Sequence, residues 1–234
     1  MEIKGILFDS GDTLVFPKTG SWWPGPAFEP ILLRHDIALS FHADTMSSAL
    51  EAGLSYLEAN HHVVNLDQEK DQFRTFYRII CDKLGITVDD SLIEELACAY
   101  VEECNFQLYS DTIPVLEGLT SAGITLGIVS DAWPSLHNKF VSLGIRHYFN
   151  SFTISAEAGC SKPDEMIYRK AIDETGIDPD LLLFVDDDPD NVKAAVKLGM
   201  NGIVMLRHGE DAIREVPFVH NLHDILLITT GRQT

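Results

Sequence analysis

Three short apolar runs in this chain each stop at a residue able to do chemistry. Residues 3–8 run into Asp9, residues 124–129 into Ser130, and residues 181–185 into the acid pair Asp186-Asp187. Between the second and third runs, Lys162 stands just ahead of a helical pattern. Two carboxylates converging on one crevice from different strands repel each other unless a cation sits between them. Hard oxygen ligands of this kind suit Mg²⁺, which takes only one or two protein carboxylates and leaves room for a phosphate. Lys162 would then bring positive charge, and Ser130 a hydroxyl, to the non-bridging oxygens of a transferring phosphoryl group. An aspartate can serve as nucleophile in such a transfer by forming an acyl-phosphate.

Those residues need a scaffold that delivers strand ends to one edge. From about residue 112 onward, apolar strand patterns alternate with helical ones. Strands are expected at 124–129, 151–154, 181–185 and 202–206, and helices at 114–122, 134–143, 163–175 and 191–198, with Pro163 in the first turn of the third helix. Apolar strands separated by helices pair in parallel with both sheet faces covered. In such sheets ligands bind beyond the carboxyl ends of the strands, which is where Asp9, Ser130 and Asp186/Asp187 stand. Residues 27–107 have a different texture. Met46, Ala49, Leu50, Gly53, Leu54 and Leu57 recur at three- and four-residue steps, as do Phe73, Phe76, Tyr77, Ile80 and Leu84, and then Leu92, Leu96, Ala99, Tyr100 and Cys104. That period predicts a bundle of about four helices. Asp67 and Asp89 or Asp90 are expected as N-caps of the last two, and Gly85 as a stop. The expected fold class is therefore α/β, a parallel-sheet core (1–16 and 108–234) interrupted by an α-helical insert (17–107).

Composition narrows the partners. The 234 residues carry 36 Asp+Glu against 17 Lys+Arg, a formal net charge of −19, with 45% hydrophobic residues. Such a chain can build a large core and is repelled by duplex DNA or an anionic membrane, so neither nucleic acid nor membrane is an expected partner. Cys81, Cys98, Cys104 and Cys160 form no CxxC pair and no zinc spacing. No charged-then-apolar leader and no stretch of about 20 apolar residues appears, and a cytoplasmic setting is expected. His61-His62 and His220/His223 are expected to be structural or surface residues.

Four motifs in order resemble those of the haloacid dehalogenase superfamily, whose members are mainly phosphatases. They are Ile6-Leu7-Phe8-Asp9-Ser10-Gly11-Asp12-Thr13-Leu14; Ile128-Val129-Ser130-Asp131; Ser161-Lys162-Pro163-Asp164; and Phe184-Val185-Asp186-Asp187-Asp188-Pro189-Asp190-Asn191-Val192. The resemblance covers nearly the whole chain, and the helical insert matches the family's helical type of cap domain on a Rossmann-like core. It implies a Mg²⁺-dependent phosphatase acting on a small phosphorylated metabolite through an aspartyl-phosphate. By that resemblance Asp9 is nucleophile and metal ligand, the Gly11 carbonyl and Asp187 are further ligands, and Asp186 is a ligand or an acceptor behind the metal. Ser130 and Lys162 hold the phosphate, Asn191 supports the metal loop, and Asp188 and Asp190 belong to a helix start favoured by its dipole.

One position departs from the pattern. The family's phosphatases carry aspartate two residues after the nucleophile as general acid/base, followed by glycine. Here Gly11 takes that place and Asp12 follows, displaced on a tight turn. Gly11 can lend its carbonyl to a metal but cannot protonate a leaving group, a function worth about 10²–10⁴ in rate. A slow enzyme is expected, or one restricted to good leaving groups. Trp22 and Trp23, in a Pro/Gly-rich stretch after the nucleophile loop, either contact substrate or pack the hinge into the insert. Two alternatives stand beside the phosphatase: a phosphonate hydrolase, which needs a cap lysine for a Schiff base and finds only Lys70 and Lys83 in the insert, and a weakly active family member that works by binding.

Overall fold

The computed structural model describes residues 2–37, 42–208 and 216–231. In chain order its elements are β1 (Gly5–Phe8), β2 (Val15–Pro17), α1 (Phe28–Arg34), α2 (Ala43–Ala59), α3 (Leu66–Leu84), α4 (Asp90–Glu102), β3 (Phe106–Leu108), α5 (Thr112–Ser121) and β4 (Thr125–Ser130). There follow α6 (Leu136–Ser142), β5 (Ser151–Ile154), α7 (Ser155–Ala158), α8 (Glu165–Thr175), β6 (Leu182–Asp186), α9 (Pro189–Lys197), β7 (Asn201–Met205), β8 (Phe218–Val219) and α10 (Leu222–Thr230). The chain divides into two compact units. One comprises Met1–Phe16, Leu108–Ala132 and Leu143–Thr234; the other comprises Pro17–Gln107 and Trp133–Ser142.

The first unit is α/β. Six strands pair in the order β5-β4-β1-β6-β7-β8, and every pairing is parallel. Every residue of β1, β5 and β6 is buried, as expected for strands with helices on both faces. After β1 the chain goes to β4 and β5 on one side, then crosses back to β6, β7 and β8 on the other. Neighbouring strands that leave β1 in opposite directions open a crevice at their carboxyl ends. Register fixes its depth: Phe8 lies level with Ile128 of β4 and Val185 of β6, and the Asp9 N–H donates to the Val185 carbonyl at 2.9 Å. Asp9, Ser130 and Asp186 therefore emerge on three adjacent strands within a residue or two of one level.

The second unit is helical. Buried Phe73, Phe76, Tyr77 and Ile80 of α3 meet Ala49 and Leu57 of α2 and Ile93, Leu96 and Ala97 of α4. The start of α3 corrects one expectation: Asn65, not Asp67, is its cap, its side chain accepting from the Gln68 N–H at 2.9 Å. Asp67 lies in the first turn, where its charge suits the helix dipole. Asp89 caps α4 through the Leu92 N–H at 2.9 Å, and Gly85 ends α3 at φ 70°, a conformation glycine adopts without a Cβ penalty. In the α/β unit, α8 begins at Glu165 rather than at Pro163, because the Asp164 side chain accepts from the Met166 N–H at 2.9 Å and caps it there. Residues 136–142 form the expected helix, yet pack with the helical unit rather than with the sheet. Among the described residues no helix is long and apolar enough to cross a membrane.

Candidate active site

Lys162 organises the crevice. Its ammonium donates to Asp9 Oδ1 at 2.6 Å and to Asp186 Oδ2 at 2.7 Å, with the three side chains only 3%, 9% and 1% exposed respectively. Its backbone is also pinned, since the Lys162 N–H donates to Asp131 Oδ1 at 3.0 Å. Motif III is thus tied at one end to motif II and at the other to motifs I and IV. Burial by itself would push the Lys162 ammonium down. The charges of Asp9, Asp186 and Asp131 outweigh burial and hold it well above the usual lysine value.

The acid pair splits into two roles. Asp186 is fully buried, and protein donors reach both of its oxygens. Oδ1 accepts from the Asp188 N–H at 2.8 Å and from Asn191 Nδ2 at 3.2 Å, while Oδ2 takes Lys162 and a longer contact from Asn191 at 3.3 Å. These are the bonds of an acceptor that holds other groups in place. Asp187 is exposed, and burial of its carboxyl end together with the charges of Asp186 and Asp12 pushes its pKa up to about 6. Asp188 caps α9 by accepting from the Asp190 N–H at 2.8 Å, with Pro189 at the first helical position. The Asn191 carbonyl in turn accepts from the Tyr168 hydroxyl at 3.0 Å, which braces the start of α9 against α8.

Ser130 ends β4, is 2% exposed, and pairs its hydroxyl with that of Ser10 at 2.6 Å. Ser10 and Asp131 are visible inside the motifs but carry no role in the sequence; their partners lie 120 and 31 residues away, beyond any local pattern. Asp12 has φ 48°, and its N–H donates to the Val15 carbonyl at 2.8 Å. Its charge raises the pKa of Asp187 and of Tyr109.

The remaining expected residues lie in the helical unit. Trp23 stacks on Tyr100 at 5.4 Å between centroids and on Phe73 at 6.2 Å, and meets Phe76 and Trp133 edge-on or tilted. Trp22 lies 6.0 Å from Phe106. Lys70 is held by Glu102 at 2.5 Å, a hydrogen bond that raises its pKa, whereas a Schiff-base lysine needs the opposite shift. Lys83 is exposed.

The donor set fits a small divalent cation. Asp9 is raised well above an ordinary carboxylate by burial, and the charges of Asp186 and Asp187 add to that; Lys162 offsets only part. Asp9, Asp186 and Asp187 set three carboxylates against the one ammonium of Lys162 and leave negative charge unmatched. Among the described residues no group of three His, Cys, Asp or Glu side chains is set to hold a metal.

The chain is similar to several known proteins. The glyceraldehyde 3-phosphate phosphatase of Methanopyrus kandleri is 27% identical over 213 residues, spanning 89% of this chain and 85% of that one. The protein of the same name from Methanocaldococcus jannaschii is 26% identical over 213 residues, with 88% and 86% covered. Among solved structures, a HAD phosphatase from Thermococcus onnurineus superposes with a TM-score of 0.63 at 22% identity, over 99% of this chain and 100% of the other. The L-2-haloacid dehalogenase of Xanthobacter autotrophicus does so with 0.65 at 17%, over 98% and 100%; identities this low speak to the fold. A family model described as haloacid dehalogenase-like hydrolase matches residues 3–199, and with the four motifs converging on one sheet edge, the chain belongs to the haloacid dehalogenase-like hydrolases.

Proposed function

We propose that this hydrolase is a Mg²⁺-dependent phosphatase acting on a small phosphorylated metabolite, with three-carbon sugar phosphates the first substrates to try, given the names of its relatives. The observation that carries the reading is the Lys162 ammonium shared between Asp9 and Asp186 at 2.6 and 2.7 Å. A cation between a nucleophile and a buried structural acid opposes part of the rise that burial imposes on the nucleophile and gives an incoming phosphate a positive partner.

In this reading an Asp9 oxygen attacks phosphorus, the bond from phosphorus to the ester oxygen breaks, and the alkoxide departs and takes a proton from water. Water then attacks the aspartyl-phosphate, releasing phosphate and restoring the Asp9 carboxylate. Asp9, the Gly11 carbonyl and Asp187 would hold Mg²⁺, which when bound neutralises charge on the phosphoryl oxygens. Lys162 shares that work, and Ser130, fixed by Ser10, donates to a non-bridging oxygen. Asp186 keeps Lys162 in place without touching substrate. Nothing at Gly11 can protonate the leaving alkoxide, so turnover should favour phosphate esters of acidic alcohols. A cytoplasmic setting belongs to the same proposal; all four cysteines are free thiols.

The test is phosphate release from p-nitrophenyl phosphate, glyceraldehyde 3-phosphate and phosphonoacetaldehyde, with Mg²⁺ and with chelator. We expect Mg²⁺-dependent release from the esters, abolished by Asp9→Asn and shifted to higher Mg²⁺ concentration by Asp187→Asn. Full activity of Asp9→Asn, or release from the phosphonate alone, refutes the reading.

A further inference from the structure

The loop that follows the nucleophile is shaped through its carbonyls. The Ser10 carbonyl accepts from the Leu14 and Val15 N–H groups at 2.9 and 3.0 Å, and the Val15 carbonyl from the Asp12 N–H at 2.8 Å. The Leu14 carbonyl accepts from the Thr112 hydroxyl at 2.8 Å and from the Tyr109 N–H at 3.2 Å. Inside this turn Asp12 stands at φ 48°, a left-handed conformation that a residue with a Cβ avoids. Such a conformation persists only where its surroundings over-determine it.

The carbonyl of the next residue, Thr13, is gripped from outside the loop. Arg207, two residues past the end of β7, donates to it through both Nε and Nη2, at 3.1 and 2.6 Å. Its Nη1 donates to Asp111 Oδ2 at 2.7 Å, and the same oxygen accepts from the Leu222 N–H at 2.8 Å. The Arg207 and Asp111 side chains are only 7% and 8% exposed, and the guanidinium lies over the Tyr109 ring at 4.0 Å. A buried ion pair returns little net stability, because desolvation offsets most of its attraction. What this pair does return is geometry. Two prongs of a planar guanidinium on one carbonyl fix the plane of that peptide, which the point charge of a lysine cannot do. Through Asp111 and Leu222 the Thr13 peptide is thus tied to the starts of α5 and α10, two helices packed on each other.

We infer that Arg207 is a positioning residue for the nucleophile loop. By holding the Thr13 peptide it keeps Asp12 left-handed, and so sets the direction of the Gly11 carbonyl, one of the oxygens proposed for Mg²⁺. The geometry stands on the loop's own bonds; the consequence for metal and rate rests on the phosphatase reading. Arg207 lies outside all four motifs and acts through the loop, with no bond made or broken at its own atoms.

Arg207→Lys keeps a positive charge beside Asp111 but removes the two-pronged grip. Asp111→Asn leaves an acceptor for the Leu222 N–H and loosens the grip from the other side; it carries the same test should Arg207→Lys fail to fold. The full-length variants are compared with the unmodified chain well below their melting temperatures. The readouts are Mg²⁺ affinity by calorimetry, which needs no turnover, hydrogen exchange of the Asp12 and Leu14 amides, and kcat and KM on p-nitrophenyl phosphate. Loss of a group that orients a metal ligand corresponds to roughly 10–100-fold in metal affinity or activity. We expect a loss of that size in Mg²⁺ affinity and in kcat, with KM changed by less than about threefold. The two loop amides should exchange faster while those of β1 do not. A residue serving only the fold would lower the melting temperature and leave the Mg²⁺ affinity and kcat of the folded protein unchanged, and that result overturns the inference. Unchanged exchange of the Asp12 and Leu14 amides overturns it as well. Failure of the phosphatase reading would appear instead as an unmodified chain inactive on every ester, or an active Asp9→Asn variant, with the loop amides still reporting on the grip.

Discussion

Replacing Lys162 with Met keeps the length and apolar stem of the side chain while removing the charge that Asp9 and Asp186 share. The ammonium lies 2.6 and 2.7 Å from the two carboxylates. At an effective dielectric constant of 20 each contact is worth about 6 kcal/mol of Coulomb energy. Most of this is offset by desolvation of three buried groups, and removing one member of such a set typically costs about 3–5 kcal/mol. Proton uptake sets an independent ceiling. Once the cation is gone, Asp9 can escape its buried charge by protonating. Holding a carboxyl of ordinary pKa 3.8 neutral at pH 7 costs about 4 kcal/mol, at about 1.4 kcal/mol per pH unit. Asp186 keeps its bonds from Asp188 and Asn191 and loses less.

The expected deficit of Lys162→Met is therefore about 3–4 kcal/mol at pH 7. Its pH dependence has a definite sign. Loss of the ammonium raises the Asp9 pKa beyond what burial already does, so the deficit should shrink as pH falls through that raised range and Asp9 takes up a proton in both proteins. Lys162 itself, raised in the fold, contributes throughout this range, since its stabilisation is lost only above the ordinary lysine value. The probe must report on the sheet. All three tryptophans, Trp22, Trp23 and Trp133, belong to the helical unit, so their fluorescence is the wrong signal; hydrogen exchange of the β1, β4 and β6 amides under urea is the right one. Asp9→Asn in the Lys162→Met background should restore most of the loss. A deficit below about 1 kcal/mol at pH 7, or one that does not change between pH 4.5 and 7, refutes the idea that this cation is what makes the acid cluster tolerable.

The same reasoning extends to two other positions. Gly11 is not among the glycines with positive φ, so its backbone accepts a side chain; Gly11→Asp should raise kcat on alkyl phosphates by at least about tenfold, within the about 10²–10⁴ that a positioned acid supplies, and change p-nitrophenyl phosphate little. An equal gain on both substrates would mean that the introduced carboxyl group acts on the metal and not on the leaving group. In the helical unit, Lys139 is 4% exposed, donates to the Tyr100 carbonyl at 2.9 Å and lies over the Tyr100 and Phe106 rings. Burial lowers its pKa to about 8, against the opposing charge of Glu69. Between pH 8 and the ordinary value of 10.5 the unfolded chain holds a proton that the folded chain has lost, so stability gains from this group as pH rises, by up to about 3 kcal/mol. The stability difference between the unmodified chain and Lys139→Met, followed by tryptophan fluorescence from pH 7 to 10, should grow in favour of the unmodified chain; a flat difference would mean that Lys139 titrates normally.

What the sequence makes legible, and what it hides, follows from the reach of each signal. Strands β1, β4 and β6 are readable because burial on both faces demands unbroken apolar runs, and the polar residue ending each run stands out against them. The short strands β2, β3 and β8 have two or three residues each, too few for a period to register. Helix α6 is visible as a helix, but its membership in the helical unit is not. That assignment depends on the Ser135 N–H donating to Glu69 at 2.8 Å and on Trp133 Nε1 donating to Gln72 at 2.6 Å, pairings across more than sixty residues with no local trace.

The acid pair shows the same limit most sharply, because Asp186 and Asp187 are adjacent, identical in chemistry, and opposite in role. Strand alternation decides between them: the last residue of β6 turns inward onto Lys162 and Asn191, and the next residue is the first free to face the crevice. A sequence can say that a strand ends in two acids. Only the register of β6 against β1, Val185 level with Phe8, says which acid lies level with Asp9 and which follows it. A one-residue shift of that register would have exchanged their settings with no change in the motif. The division of labour is therefore a property of the sheet: Asp186→Asn should act through the position and charge of Lys162, while Asp187→Asn should act through metal affinity. Two neighbouring isosteric substitutions with different metal dependence are what this register requires.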